Sequence, residues 1–302
     1  MISVHLRLVL LICNIALTVV LGVFTGKINF WIMKIINSRR LYMRQFTPSI
    51  THKALNRDTF KFLLMGLMVL DHISYFISPY LADIFHIITR VVAVGFAYLV
   101  VEGLHYTHSR RDYLFRLGIW GILMVLGNYL MNLFVLRKDY AMSITGDNIF
   151  LTLLVGAIIV CLWDNHQEQK RKRLLRVVSV ILVVIGIIPI LEGSFIIFPF
   201  MLITQITHQN IKQRNLSYLA LMLVMAVIEL PMALSIGTSD PLMLFDSVAM
   251  NASDTFFILI VPLLSFYSGK LGKYDKQLKY VFYLFYPLHL WFIHLLASLL
   301  CR

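Results

Sequence analysis

Long apolar runs separated by short polar clusters dominate this chain. Ten stand out, at residues 6–24, 61–80, 83–104, 112–136, 148–163, 175–190, 194–207, 216–236, 254–268 and 279–300. A helix needs about 20 apolar residues to cross the hydrocarbon of a bilayer. Most of the runs reach or approach that length. Those at 194–207 and 254–268 are short and read as tilted partners, re-entrant segments or half-helices. The pattern predicts an all-α, polytopic transmembrane bundle. Barrel strands would be runs of about 10 alternating residues, which these are not.

The polar clusters alternate in sign. The loops at 25–60, 105–116, 164–176, 208–216 and 269–279, together with Lys61, hold 22 of the 27 Lys and Arg residues. The opposite loops instead carry Asp83, Asp139, Asp147, Glu192, Asp240, Asp246 and Asp254. Basic loops stay in the cytoplasm, so both termini are expected outside. Residues 1–26 have the length of a signal peptide. Cleavage there would carry Lys27, Lys34, Arg39, Arg40 and Arg44 outward, so a reversed anchor fits better. Segment 27–42 mixes Ile, Phe and Trp with Lys and Arg, as an interfacial helix does. An alternative start at Met43 would leave out the first 42 residues. The expected division is an anchor with its interfacial segment over 1–57 and a membrane domain over 58–302.

Composition agrees. Apolar residues make up 59% of the chain, charged residues only 14%, and mean hydropathy is +0.80; soluble domains carry about 25% charged residues. The net charge of +12 would suggest nucleic acid in a soluble chain. Here it is accounted for by loop anchors, and a lipid bilayer is the expected partner. Cys13, Cys161 and Cys301 lack metal or redox spacing. No phosphate-binding loop, dinucleotide fingerprint or zinc-protease motif occurs.

The informative residues are ionisable groups inside apolar runs, each costing roughly 2.5–3.5 kcal/mol to insert. Asp71 and His72 lie deep in 61–80, His86 and Arg90 in the next run, and His289 in the last. His86 and Arg90 are four apart and share a helix face. Asp71 and His72 are adjacent and point about 100° apart, so they do not pair with each other. Arg90 is the economical counter-ion for Asp71, because a tight turn joins their helices. Glu102 and Asn128 are candidate supporting groups, and Asn148 a candidate helix cap. The plain reading is an Asp71–Arg90 helix clamp beside a packing histidine. The functional reading is a buried site.

Four stretches resemble the TraX family, the membrane proteins associated with acetylation of conjugative pilin. They are KFLLMGLMVLDHISYF (61–76), ITRVVAVGFAYLVVEGLHYTHSRRDYLFRL (88–117), NIFLTLLVGAIIV (148–160) and SFYSGKLGKYDKQLKYVFYLFYPLHL (265–290). Ser74, Thr89, Val94 and Ser268 depart from the family's usual Gly, Gly, Pro and Asn. The likeness runs in order over about 58–300. It implies nine core helices plus the N-terminal anchor, a bacterial inner membrane, and a distant relation to integral-membrane acyltransferases.

The resemblance implies acyl transfer from cytoplasmic acetyl-CoA or another acyl-CoA to an amine, glycan or lipid acceptor at the outer side, with no metal. His72 would be the general base, Asp71 and Arg90 a charged pair beside it, and His289 a second imidazole. His86, Glu102, Asn128, Tyr283 and Tyr286 would support the site. Arg110, Arg111, Lys270 and Lys273 would bind CoA phosphates, or serve only as topology anchors. The rival expectation is a transporter, flippase or assembly factor that uses the same groups as a proton relay or as glue. Against it, no inverted repeat is visible.

Overall fold

The computed structural model describes residues 55–135, 140–164, 169–186, 191–238, 240–273 and 275–300. The expected anchor 6–24 and interfacial segment 27–42 lie outside them. The described helices are α1 (Arg57–His72), α2 (Pro79–Thr89), α3 (Val91–Tyr106), α4 (Arg110–Phe134), α5 (Ile149–Trp163), α6 (Gln169–Ile185), α7 (Ser194–Thr207), α8 (Ile211–Leu234), α9 (Pro241–Asn251), α10 (Ile260–Phe266) and α11 (Asp275–Leu300). Two 3-10 segments, Ile73–Phe76 and Ser253–Leu259, complete the list, and no strand occurs among the described residues.

Local chemistry starts these helices where polar residues meet apolar runs. The side chains of Asn56, Ser109, Asn148, Asn210 and Asp240 each accept a backbone N–H of the first turn, satisfying donors that a helix start leaves open. Pro79 and Pro241 occupy first-turn positions, where a missing N–H costs nothing.

Five stretches are long and apolar enough to cross a membrane: Arg57–Phe76, Pro79–Tyr106, Arg110–Phe134, Ile211–Leu234 and Tyr280–Leu300. A sixth is added if α9 and the Ser253–Phe266 stretch, bent by 73° at their junction, count as one broken span. The expected short span at 254–268 coincides with the second arm of this bent pair, which has the shape of a broken span or a re-entrant loop. Its first arm, α9, lies in what the sequence pattern suggested was loop. At 11 residues, α9 extends only about 16 Å at 1.5 Å per residue, too little to register as a span.

The other short run is a core helix. α7 buries ten of its 14 residues and packs against α3, α5 and α8. α5 is likewise apolar and short. Around them, α4 packs on α5, α11 on α1 and α4, and α2 on α1 and α9. Trp291 of α11 lies directly over Gly127 of α4, where any Cβ would overlap its ring, and donates to Asn128 Oδ1 at 2.9 Å. Near the start of α1, Leu55 and Arg57 bond to the backbone of 266–270, which clips α1 to the segment before α11.

Candidate functional site

α2 and α3 form one apolar stretch broken at Arg90. The break leaves the His86 carbonyl to a side chain: Arg90 Nε donates to it at 3.1 Å. Arg90 is thereby aimed at α1, where its Nη2 donates to Asp71 Oδ2 at 2.8 Å. Thr89 Oγ1 donates to Asp71 Oδ1 at 2.7 Å, and His86 Nδ1 lies 3.1 Å from the same oxygen. Asp71 is thus held by three groups from α2 and the break, so it is free neither to orient nor to neutralise its neighbour His72.

His72 ends α1 and turns the other way. Its ring centroid lies 5.4 Å from that of His289. His289 is 8% exposed, and its Nδ1 donates to the Phe285 carbonyl at 2.9 Å. This bond fixes the tautomer, so Nε2 is left carrying a lone pair. That Nε2 is buried without a hydrogen-bond partner. An unpaired buried acceptor costs about 1–3 kcal/mol unless a water or a ligand meets it.

A cavity of about 100 Å³ opens between these groups. Asp71, His72, Arg90, Glu192, Asp254 and Tyr286 supply its polar walls. Glu192 lies in the connection between α6 and α7, outside either helix. It accepts from Tyr286 Oη at 2.7 Å, and Tyr286 Oη in turn accepts from the Ile149 N–H at 3.2 Å. Burial lifts the Glu192 carboxyl from its ordinary value to about 8, against the lowering effect of the Tyr286 hydrogen bond. The next residue, Gly193, starts α7 with φ +61°, a backbone region where a side chain is strained, and lines the same cavity.

A second cavity, of about 210 Å³, lies toward the basic end of the bundle. Arg57, Lys61 and Arg116 line it, and its walls are otherwise mostly apolar or aromatic. The Arg116 Nε is buried without a hydrogen-bond partner. Met68, Phe96, Ile149 and Tyr286 line both cavities, so the cavity with the basic mouth and the cavity beside His72 share a wall.

Other expected site residues fall elsewhere. Glu102 accepts from Arg57 at 2.9 Å and from Tyr267 Oη at 2.6 Å, near the basic end rather than beside His72. Asn128 donates to the carbonyls of Ser143 and Asp147 at 3.0 and 3.2 Å and so ties α4 to the loop before α5. Tyr283 packs in a three-ring cluster with Trp120 and Phe150 and lines the cavity with the basic mouth but not the one beside His72. Arg110 pairs with Asp164 at 2.5 Å, and Arg111, Lys270 and Lys273 are exposed. None of these four lines either cavity.

Glu192, Asp254 and Thr89 were missed as site residues. Glu192 and Asp254 are acids at the edges of apolar runs, where they look like loop markers. Glu229, inside the run 216–236, was an available signal; it accepts from Thr255 at 3.3 Å.

No curated protein and no solved structure matches the chain. A family model described as TraX protein matches residues 56–297. That match takes in α1 through most of α11 and every residue of the histidine site, and it places the chain in the TraX family.

Proposed function

We propose that this protein is an integral-membrane acyltransferase. It moves an acetyl or other short acyl group from cytoplasmic acyl-CoA to an amine or hydroxyl at the outer side, on a pilin or another surface component. The observation that carries the reading is the pair of cavities sharing Met68, Phe96, Ile149 and Tyr286. One has a basic mouth suited to an anionic carrier, and the other is lined by His72, whose ring lies 5.4 Å from that of His289, and by the anchored Arg90 guanidinium. In this reading Arg57, Lys61 and Arg116, rather than Arg110, Arg111, Lys270 and Lys273, meet the carrier's phosphates. The wider topology is ten crossings in a bacterial inner membrane with both termini outside.

The reaction balances without metal. His72 removes the acceptor's proton, the general-base role that an imidazole most often takes. The acceptor nitrogen or oxygen attacks the thioester carbonyl carbon. The oxyanion forms beside Arg90, whose Nη1 makes no hydrogen bond among the described residues, in a site where charge stabilisation is strong because water is scarce. The carbon–sulfur bond breaks, and the CoA thiolate takes the proton back from the imidazolium. His289 is the second imidazole beside His72, and its Nε2 relays that proton. Asp71 keeps Arg90 in place.

The test uses the full chain in lipid vesicles with acetyl-CoA and a small amine acceptor. The wild type is expected to release CoA thiol and acetylate the amine, and His72→Ala to lose both while keeping its thermal unfolding midpoint. Folded wild-type protein that releases no thiol overturns the reading in favour of a proton-coupled transporter or a non-enzymatic assembly factor.

A further inference from the structure

A third cavity, of about 320 Å³, lies at the basic end of the bundle, apart from the histidine site. The end of α3 and the α7–α8 junction build it, with His105 and His208 at the lip and Arg214 on the floor. The two imidazoles stack with centroids 4.5 Å apart. Arg214 is only 8% exposed.

Burying a guanidinium is expensive unless its charge is met. Here it is met by neutral acceptors alone. Nε and Nη2 both donate to Asn215 Oδ1, at 3.2 and 3.1 Å, and Nη1 donates to Tyr98 Oη at 3.3 Å. The rings of Tyr98 and Tyr218 lie 5.6 and 6.0 Å from the guanidinium carbon. Among the described residues no carboxylate makes an ion pair with Arg214. Glu102 lines the same cavity, but its carboxylate is already bonded to Arg57 and Tyr267. A guanidinium carries five N–H donors, and three are used. The two that remain suit the forked acceptance of an oxyanion, for which Arg is the preferred side chain.

We propose that this cavity is a phosphate-binding site in which Arg214 holds a phosphate monoester or diphosphate group. The site stands apart from the transferase reading, because binding is measured without turnover. Two sources share the chemistry: a soluble nucleotide-type ligand and an anionic lipid headgroup.

The experiment treats the full-length protein in detergent with diethyl pyrocarbonate and reads carbethoxylation of each histidine by mass spectrometry. The probes are adenosine 3′,5′-bisphosphate and dihexanoyl phosphatidic acid. Protection of His105 and His208, but not of exposed His108, supports the site. Protection by the bisphosphate alone assigns the soluble source, and protection by the lipid alone assigns the headgroup. No protection by either probe overturns the proposal. In Arg214→Gln, the concentration giving half-protection is expected to rise at least ~10-fold, the loss of a charge-assisted hydrogen bond, while Arg111→Gln changes it less than ~2-fold. An unchanged value in Arg214→Gln also overturns it. The wild-type protection pattern decides the matter if that variant does not fold.

Discussion

Removing either member of the Asp71–Arg90 pair strands a charge, and the two losses should be unequal and strongly coupled. In Arg90→Gln the carboxylate keeps Thr89 and His86, at 2.7 and 3.1 Å. In Asp71→Asn the guanidinium keeps only the His86 carbonyl, at 3.1 Å, and the edge of the His86 ring, at 3.2 Å. Breaking a buried pair from one side costs about 3–5 kcal/mol. The side chains here remain 20% and 23% exposed, which brings the cost below that range, to about 2–3 kcal/mol, once solvent screening is allowed for. Asp71→Asn should be the costlier change. The double variant replaces both charges with amides that can still bond to one another and to Thr89. It should cost less than the sum of the single variants by about 1.5–3 kcal/mol. The assay is reversible unfolding in mixed detergent micelles across all four proteins, with acyl-transfer rates measured in parallel. A coupling energy below about 0.5 kcal/mol would refute the claim that this pair organises the break between α2 and α3.

Three further outcomes follow from the same geometry. His289→Asn preserves a donor for the Phe285 carbonyl but removes the unpartnered ring nitrogen; transfer should fall roughly 10²-fold with little change in unfolding, and an unchanged rate would remove His289 from the chemistry. Burial raises the Glu192 carboxyl to about 8, so its protonated form is favoured on folding. The associated stability is full below the ordinary carboxylate range near 4.5 and is lost as pH rises through 8. Glu192→Gln should flatten that slope in a pH series of unfolding midpoints, and an equal slope in both proteins would contradict the assignment. Gly127→Ala forces a Cβ into Trp291 and should cost about 1–3 kcal/mol, with a shift in Trp291 fluorescence as its bond to Asn128 is displaced; a neutral effect would mean that α11 does not sit there.

Much of the candidate histidine site was legible in the sequence because its members are anomalous where they stand. Asp71, His72, Arg90 and His289 are ionisable side chains in apolar runs, and such groups are retained at a cost. The spacing of His86 and Arg90 on one helix face placed them together, and the structure brings both to Asp71. The same logic did not reach Glu192 or Asp254, because an acid at the end of an apolar run costs little there and carries no signal. Nor could it assign the basic residues. Nearly all Lys and Arg of the basic loops fit the same topological rule, so Arg57 and Arg116 were indistinguishable from Arg110 and Arg111 until the helices were packed.

The periodicity and length of the apolar runs, with their polar caps, determined that the chain is helical and made for a bilayer. Backbone groups in hydrocarbon have no partner but one another, and this requirement is written residue by residue. Which runs lie open along their length, and which are buried among the others, was decided only by packing. α7 is as apolar as a span yet surrounded by protein, and the 73° bend makes one broken element of what the pattern read as a loop and a span. The cavities were likewise a tertiary outcome, since the distance between His72 and His289 depends on how α1 and α11 meet, a contact between residues more than two hundred positions apart that no local pattern encodes.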